Sequence, residues 1–206
     1  MAARRLFRTS LTPEQVLLGY EQGMFPMADG LDGDINWYVA SQRALIPLDE
    51  NFRVRRSLRQ VIQRGGYRVA VNTAFPEVIR ACARHRENGP EEIWLSEEMI
   101  ALYCEIHRRG RAHSMEIWRD DKLAGGLYGI TLGGVFCGES MFSREPFGSQ
   151  LALVALVERL RARGFKLLDA QILTPHLEQF GAYVIEHAKY LEMIERYRWQ
   201  EPRYAD

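Results

Sequence analysis

The nine residues FKLLDAQIL at 165–173 would read as a buried strand but for Asp169 and Gln171. Strand side chains alternate between faces, so the carboxylate and the amide share one face with Leu167 and Leu173, and Leu168, Ala170 and Ile172 take the other. A dry face could not hold both groups unpartnered, since each would cost roughly 1–3 kcal/mol. Asp169 is the better base of the two; Gln171 is a poor base but accepts and donates hydrogen bonds at once. VFCGESMF at 135–142 raises the same question with Glu139, on a face with Cys137 and Met141, and Ser140, on a face with Phe136 and Phe142. Two core segments each bringing a carboxylate, with Gly138 leaving room at the backbone, suit a small-molecule pocket lined by Phe, Met and Leu. Two plainer readings stay open: a satisfied structural pair in which Asp169 accepts backbone N–H groups, and two unrelated acids on sheet edges.

Other polar residues offer less. His113-Ser114 has no nucleophile signature around it and reads as structural, while His176 can hydrogen-bond near such a site. No spacing among the five His suggests a metal. Cys137, in an apolar strand, reads as packing.

The elements that must hold these groups follow from local signals. Thr12, Pro13 and Gln15 spell a capped helix start, and Gly23 suits its end. Phe25 to Asp34 reads as loop, followed by Trp37-Tyr38 and a short helix near 53–64. YRVAV at 67–71 predicts a strand, with helices near 73–86 and 96–109, the second capped by Ser96. HSMEIW, LAGGLYGI and VFCGESMF, broken at Asp120-Asp121 and Gly133-Gly134, predict an antiparallel three-strand meander. Apolar residues at 151, 153, 154, 156, 157 and 160 predict a helix over 149–163, stopped by Gly164. The DAQ strand, a short helix from Thr174-Pro175 and a last strand at YVIEHA complete an α+β order on a mostly antiparallel sheet. We expect a small N-terminal domain over 1–65 and a larger one over 66–206.

The chain has 206 residues, 47% hydrophobic and 26% charged, an ordinary globular balance. Twenty-seven Lys and Arg balance 27 Asp and Glu, which argues against a wholly basic nucleic-acid coat but not against a local patch. One such patch exists: nine Arg lie between residues 51 and 86 against one acid, Glu77, with RVRRSLR its densest part. Three scattered cysteines with no C-x-x-C fit a reducing compartment. With no signal-like or membrane-spanning apolar run, the expectation is a soluble cytoplasmic protein.

Several motifs carry a resemblance. GESMFSR at 138–144, LDAQIL at 168–173, HSMEIW at 113–118 and GMFP at 23–26 resemble the leucyl/phenylalanyl-tRNA–protein transferases, in order from about residue 11 to 195. That resemblance implies a GNAT-like larger domain and transfer of an amino acid, Leu or Phe, from aminoacyl-tRNA to a protein's N-terminal Arg or Lys, which marks it for N-end-rule degradation. The reaction is ester aminolysis, so no cofactor or metal is implied; the work is alignment, amine deprotonation and oxyanion stabilisation. The resemblance makes Asp169 and Gln171 the catalytic pair, with Gln171 contacting the amine and Asp169 polarising it. Glu139 becomes a pocket carboxylate for an ammonium or guanidinium group, flanked by Ser140 and Met141. It gives the acyl slot to Trp94, Phe136, Leu156 and Leu160; the last two stand where the family carries aromatics, which implies a wider slot. Tyr38 or Trp37 would stack the terminal adenine, and Arg53, Arg55, Arg56 and Arg59 would meet tRNA phosphates. The alternative is a GNAT-type acyl-CoA N-acyltransferase, for which SREPFGSQ at 143–150 is a loose imitation of the pyrophosphate loop.

Overall fold

The computed structural model describes residues 11–28, 34–84 and 95–205. Helix α1, Pro13–Glu21, starts on the capping box expected of it: Thr12 Oγ1 accepts from the Gln15 amide, and Gln15 Oε1 accepts from the Thr12 amide. The expected loop after it is partly strand: β1, Phe25–Ala28, pairs antiparallel with β2, Ile35–Tyr38. Its Pro and terminal Ala hide the strand signal, and pairing with β2 overrides them.

A mixed seven-stranded sheet carries the rest. Its order is β4, β5, β6, β7, β8, β3, β9, with only the β7–β8 pair parallel. Strands β5, Ala112–Arg119, β6, Lys122–Leu132, and β7, Val135–Ser143, form the expected meander, with β4, Arg68–Val71, at its edge. Strand β8 is Leu167–Gln171 and β9 is Tyr183–Glu186. Strand β3, Gln42–Ile46, was not foreseen; it lies between β8 and β9, antiparallel to both. The expected unit boundary near residue 65 falls after this strand.

Helices cover both faces. One core gathers α1, α3, Phe75–Arg84, α4, Glu97–Arg108, and α7, His187–Tyr197; the other gathers α2, Arg56–Arg64, α5, Gly148–Ala162, and α6, Pro175–Glu178. Helix α7 also escaped the sequence reading, which expected strand through residue 188; the strand stops at Glu186 and His187 begins the helix. Glu116, wholly buried on β5, accepts from Ser114 Oγ, the Ala74 amide, Trp118 Nε1 and Thr73 Oγ1, and so ties α3 to the sheet.

Candidate active site

Strands β7 and β8 pair in parallel only from Val135↔Leu167 to Cys137↔Asp169 and part beyond that point. Each has an irregularity at the parting. Tyr128 faces Ser140 while Gly129 faces Gly138, so Glu139 is a bulged residue. A Cβ at Gly129 would collide with the Cys137 carbonyl oxygen and the Phe136 ring, so glycine is required opposite the bulge. On β8, Ala44 faces Gln171 and Leu45 faces Asp169, leaving Ala170 unopposed, and Gln171 adopts φ +53°. Two bulges replace simple alternation, so consecutive residues 138–141 and 168–172 all line one cavity of about 400 Å³. Phe25 and Met27 from β1, Leu153 and Leu156 from α5 and Leu177 from α6 supply much of its apolar wall.

The polar groups form one connected network. Asp169 is fully buried and paired with an equally buried Arg43. Arg43 Nε donates to Oδ1 at 2.8 Å and its Nη2 to Oδ2 at 2.6 Å. The Tyr190 hydroxyl donates to Oδ2 at 2.7 Å, and the Gln171 amide N–H to Oδ1 at 2.9 Å. Arg43 also donates to the Gly23 carbonyl at 3.0 Å and lies against the rings of Tyr190 and Phe25. Burial works against the Arg43 charge, but the Asp169 carboxylate outweighs it and raises the pKa further.

Gln171 turns its side chain to Glu139, donating from Nε2 to Oε1 at 2.9 Å. The Tyr103 hydroxyl donates to Glu139 Oε2 at 3.2 Å and lies 2.6 Å from the Tyr20 hydroxyl. Burial pushes the Glu139 carboxyl up to about 7; the Tyr20 and Tyr103 hydroxyls and Arg43 hold it down, and Asp169 pushes it up. Tyr20, Tyr103 and Tyr128 are buried and raised well above the usual phenol value, first by burial, so they stay donors. The Tyr128 hydroxyl has no hydrogen-bond partner among the described residues, yet Tyr128 lines the cavity. The site therefore combines an apolar slot, a carboxyl group raised to about 7 and an amide.

A family model described as "Leucyl/phenylalanyl-tRNA protein transferase" matches residues 45–195, and one for that family's N-terminal domain matches residues 9–39. The chain belongs to this family. Leucyl/phenylalanyl-tRNA–protein transferases of Herpetosiphon aurantiacus and Chlorobaculum parvum are 48% and 50% identical to it, each covering 93% of the relative and 89% and 88% of this chain. One from Akkermansia muciniphila is 46% identical, over 90% of this chain and 95% of the relative. Among solved structures, L-PGS from Bacillus licheniformis matches at TM-score 0.42 and 16% identity, over 76% of this chain and 49% of that one.

Of the residues nominated from the sequence, the cavity is lined by Asp169, Gln171, Glu139, Ser140, Met141 and Leu156. It leaves out Phe136 and Leu160. Both are fully buried in the second core, Phe136 stacked on Tyr204 and Leu160 within α5 itself. Trp37 packs against Gly19 of α1, away from the cavity wall; Tyr38 stacks on the lining residue Phe25 at 6.3 Å. Trp94 lies outside the described residues. Arg53, Arg55, Arg56 and Arg59 are exposed at the start of α2, and the Arg55 charge reaches the lining residue His176. The link between Asp169 and Gln171 runs through the Gln171 main chain rather than its side-chain amide, because the left-handed turn at Gln171 swings that amide to Glu139. Sequence reasoning did not nominate Arg43, Tyr190, Tyr20, Tyr103 or Tyr128. Only an Arg amid apolar neighbours, in QRALI, was there as a signal.

Proposed function

We propose that the chain transfers an amino acid, Leu or Phe, from aminoacyl-tRNA to the α-amine of an N-terminal Arg or Lys on an acceptor protein. The observation that carries this reading is the Glu139–Gln171 pair, hydrogen-bonded at 2.9 Å inside an apolar cavity. Its donor contact with Glu139 leaves the Gln171 amide oxygen available to accept from an amine. Asp169 acts through Gln171: with Arg43 it fixes the turn that aims the amide, and it is a positioning residue. The acyl side chain lies against Leu153, Leu156 and Met141, and a cavity of about 400 Å³ is in the range that encloses one small molecule. The terminal adenine stacks on Tyr38 beside Phe25, and Arg53, Arg55, Arg56 and Arg59 track the tRNA backbone.

The larger unit is GNAT-like in this reading, supported by the parted parallel pair β7–β8 beside a central helix α5. The product enters N-end-rule degradation, and the protein works in the cytoplasm. An acyl-CoA route is disfavoured at the start of α5, where that class holds a pyrophosphate: here the Ser149 amide already donates to Ser143 Oγ at 2.8 Å. The test is leucyl- or phenylalanyl-tRNA with a peptide beginning with Arg. Product with both charged tRNAs, lost in Gln171→Ala, is expected; dependence on acyl-CoA instead of charged tRNA would overturn the reading.

A further inference from the structure

The cavity is bordered by two carboxylates, and they differ in their partners. Both oxygens of Asp169 are occupied, by Arg43, Tyr190 and the Gln171 amide. Asp169 is committed to a fully buried ion pair with Arg43, and breaking such a pair is costly. Glu139 has no ion-pair partner among the described residues; its donors are the Gln171 amide and the Tyr103 and Tyr20 hydroxyls, all neutral. It stands at a bulge, partly exposed and on the cavity wall, so a proton can arrive and leave without stranding a counter-charge.

We propose that Glu139 takes the proton of the acceptor amine during attack and passes it to the departing ribose oxygen. This rests on the transfer reading above. In that step the amine nitrogen bonds to the ester carbonyl carbon and the carbon–oxygen bond to the ribose breaks. The nitrogen loses one proton to the Glu139 carboxylate, and the ribose oxygen gains it as a hydroxyl. Glu139 ends as the carboxylate it was, and no other reactant is consumed. An amine held at the Gln171 oxygen would be one side chain away from Glu139, to which the Gln171 Nε2 already donates.

The surroundings set the operating range. Tyr20 from α1, Tyr103 from α4, Tyr128 from β6, Cys137 from β7, Asp169 from β8 and Arg43 from β3 all act on Glu139 or feel its charge. Burial, then Asp169, raises the carboxyl, while Tyr20, Tyr103 and Arg43 restrain it, leaving it at about 7, suited to accepting and returning a proton near neutral pH.

The experiment follows kcat and KM for leucyl-tRNA and an Arg-starting peptide between about pH 5.5 and 9. Wild-type kcat should rise through about pH 7. Glu139→Gln keeps the shape and an acceptor for Gln171, and should lower kcat at pH 7 on the order of a hundredfold. Its remaining acid limb should sit near the amine's own value, about 8. Glu139→Asp, with a carboxylate on a shorter arm, should restore part of the rate together with a limb below 8. A Glu139→Gln enzyme within about threefold of wild-type kcat, or one that keeps the lower limb, or one that raises KM alone, overturns the proposal. Wild-type protein that transfers nothing overturns the transfer reading itself.

Discussion

Replacing Arg43 by Met tests the buried pair at the base of the site. The substitution keeps most of the side-chain volume and removes both hydrogen bonds to Asp169, the one to Gly23 and the contact with the Tyr190 ring. Asp169 then keeps only Tyr190 and the Gln171 amide as donors, and its charge is buried without a cation. Breaking one side of a buried pair costs roughly 3–5 kcal/mol, a large share of the about 5–15 kcal/mol that holds a domain together. At about 2–4 °C per kcal/mol for a chain of this size, the midpoint should fall by roughly 6–20 °C. Adding Asp169→Asn neutralises the stranded charge, keeps one oxygen to accept from the Gln171 amide and lets its side-chain nitrogen donate to the Tyr190 hydroxyl, so the double variant should regain at least about 2 kcal/mol over the single. Urea unfolding followed by far-UV circular dichroism reads both numbers. A loss below about 1 kcal/mol for Arg43→Met, or no recovery on adding Asp169→Asn, would show that the pair is not a buried charge couple.

Two further outcomes follow from charge. Glu139 is lifted from 4.5 to about 7, so between those values the folded chain holds a proton the unfolded chain lacks, and stability falls as pH rises, by about 3 kcal/mol in all. His113 is lowered from 6.5 to about 4, chiefly by burial, so its contribution runs the other way, growing from about pH 4 to 6.5. The two oppose each other from 4.5 to 6.5, and Glu139→Gln should uncover a steeper rise in stability with pH there; denaturation curves with unchanged slope would contradict this. Changing exposed Arg55, Arg56 and Arg59 singly to Ala should leave stability within about 0.5 kcal/mol. Each should also flatten the salt dependence of tRNA binding by up to about one unit of log–log slope, measured by filter binding from low to high salt.

The sequence revealed elements wherever the signal is local. Thr12 with Gln15, Ser96 before α4 and the turns at Asp120-Asp121 and Gly133-Gly134 all lie where their short-range chemistry puts them. The apolar stripe of α5 was legible because it repeats over four turns. Strands β1 and β3 were not, because four or five residues containing Pro or Arg acquire strand geometry only from distant partners. In the site, the polar intruders Asp169, Gln171 and Glu139 stood out against apolar neighbours. What could not be read was their wiring. Strict alternation would have sent Glu139 and Ser140 to opposite faces, and a bulge, which leaves no compositional mark, brings both to the cavity. Arg43 is 126 positions from its carboxylate, and no spacing rule connects them.

The position of β3 also bears on the order in which the chain can be built. Its neighbours on both sides, β8 and β9, are drawn from residues 167–186, so the strand emerges from the ribosome long before anything it can pair with. Until then Arg43 has neither Asp169 nor Tyr190 beside it, and the turn at Gln171 has not been made. Nascent chains therefore carry an unfinished sheet through most of their synthesis, and the cavity between β7 and β8 closes as one of the last long-range events. A chain cut short before β9 would leave β3 with one bare edge, open to pairing with another chain.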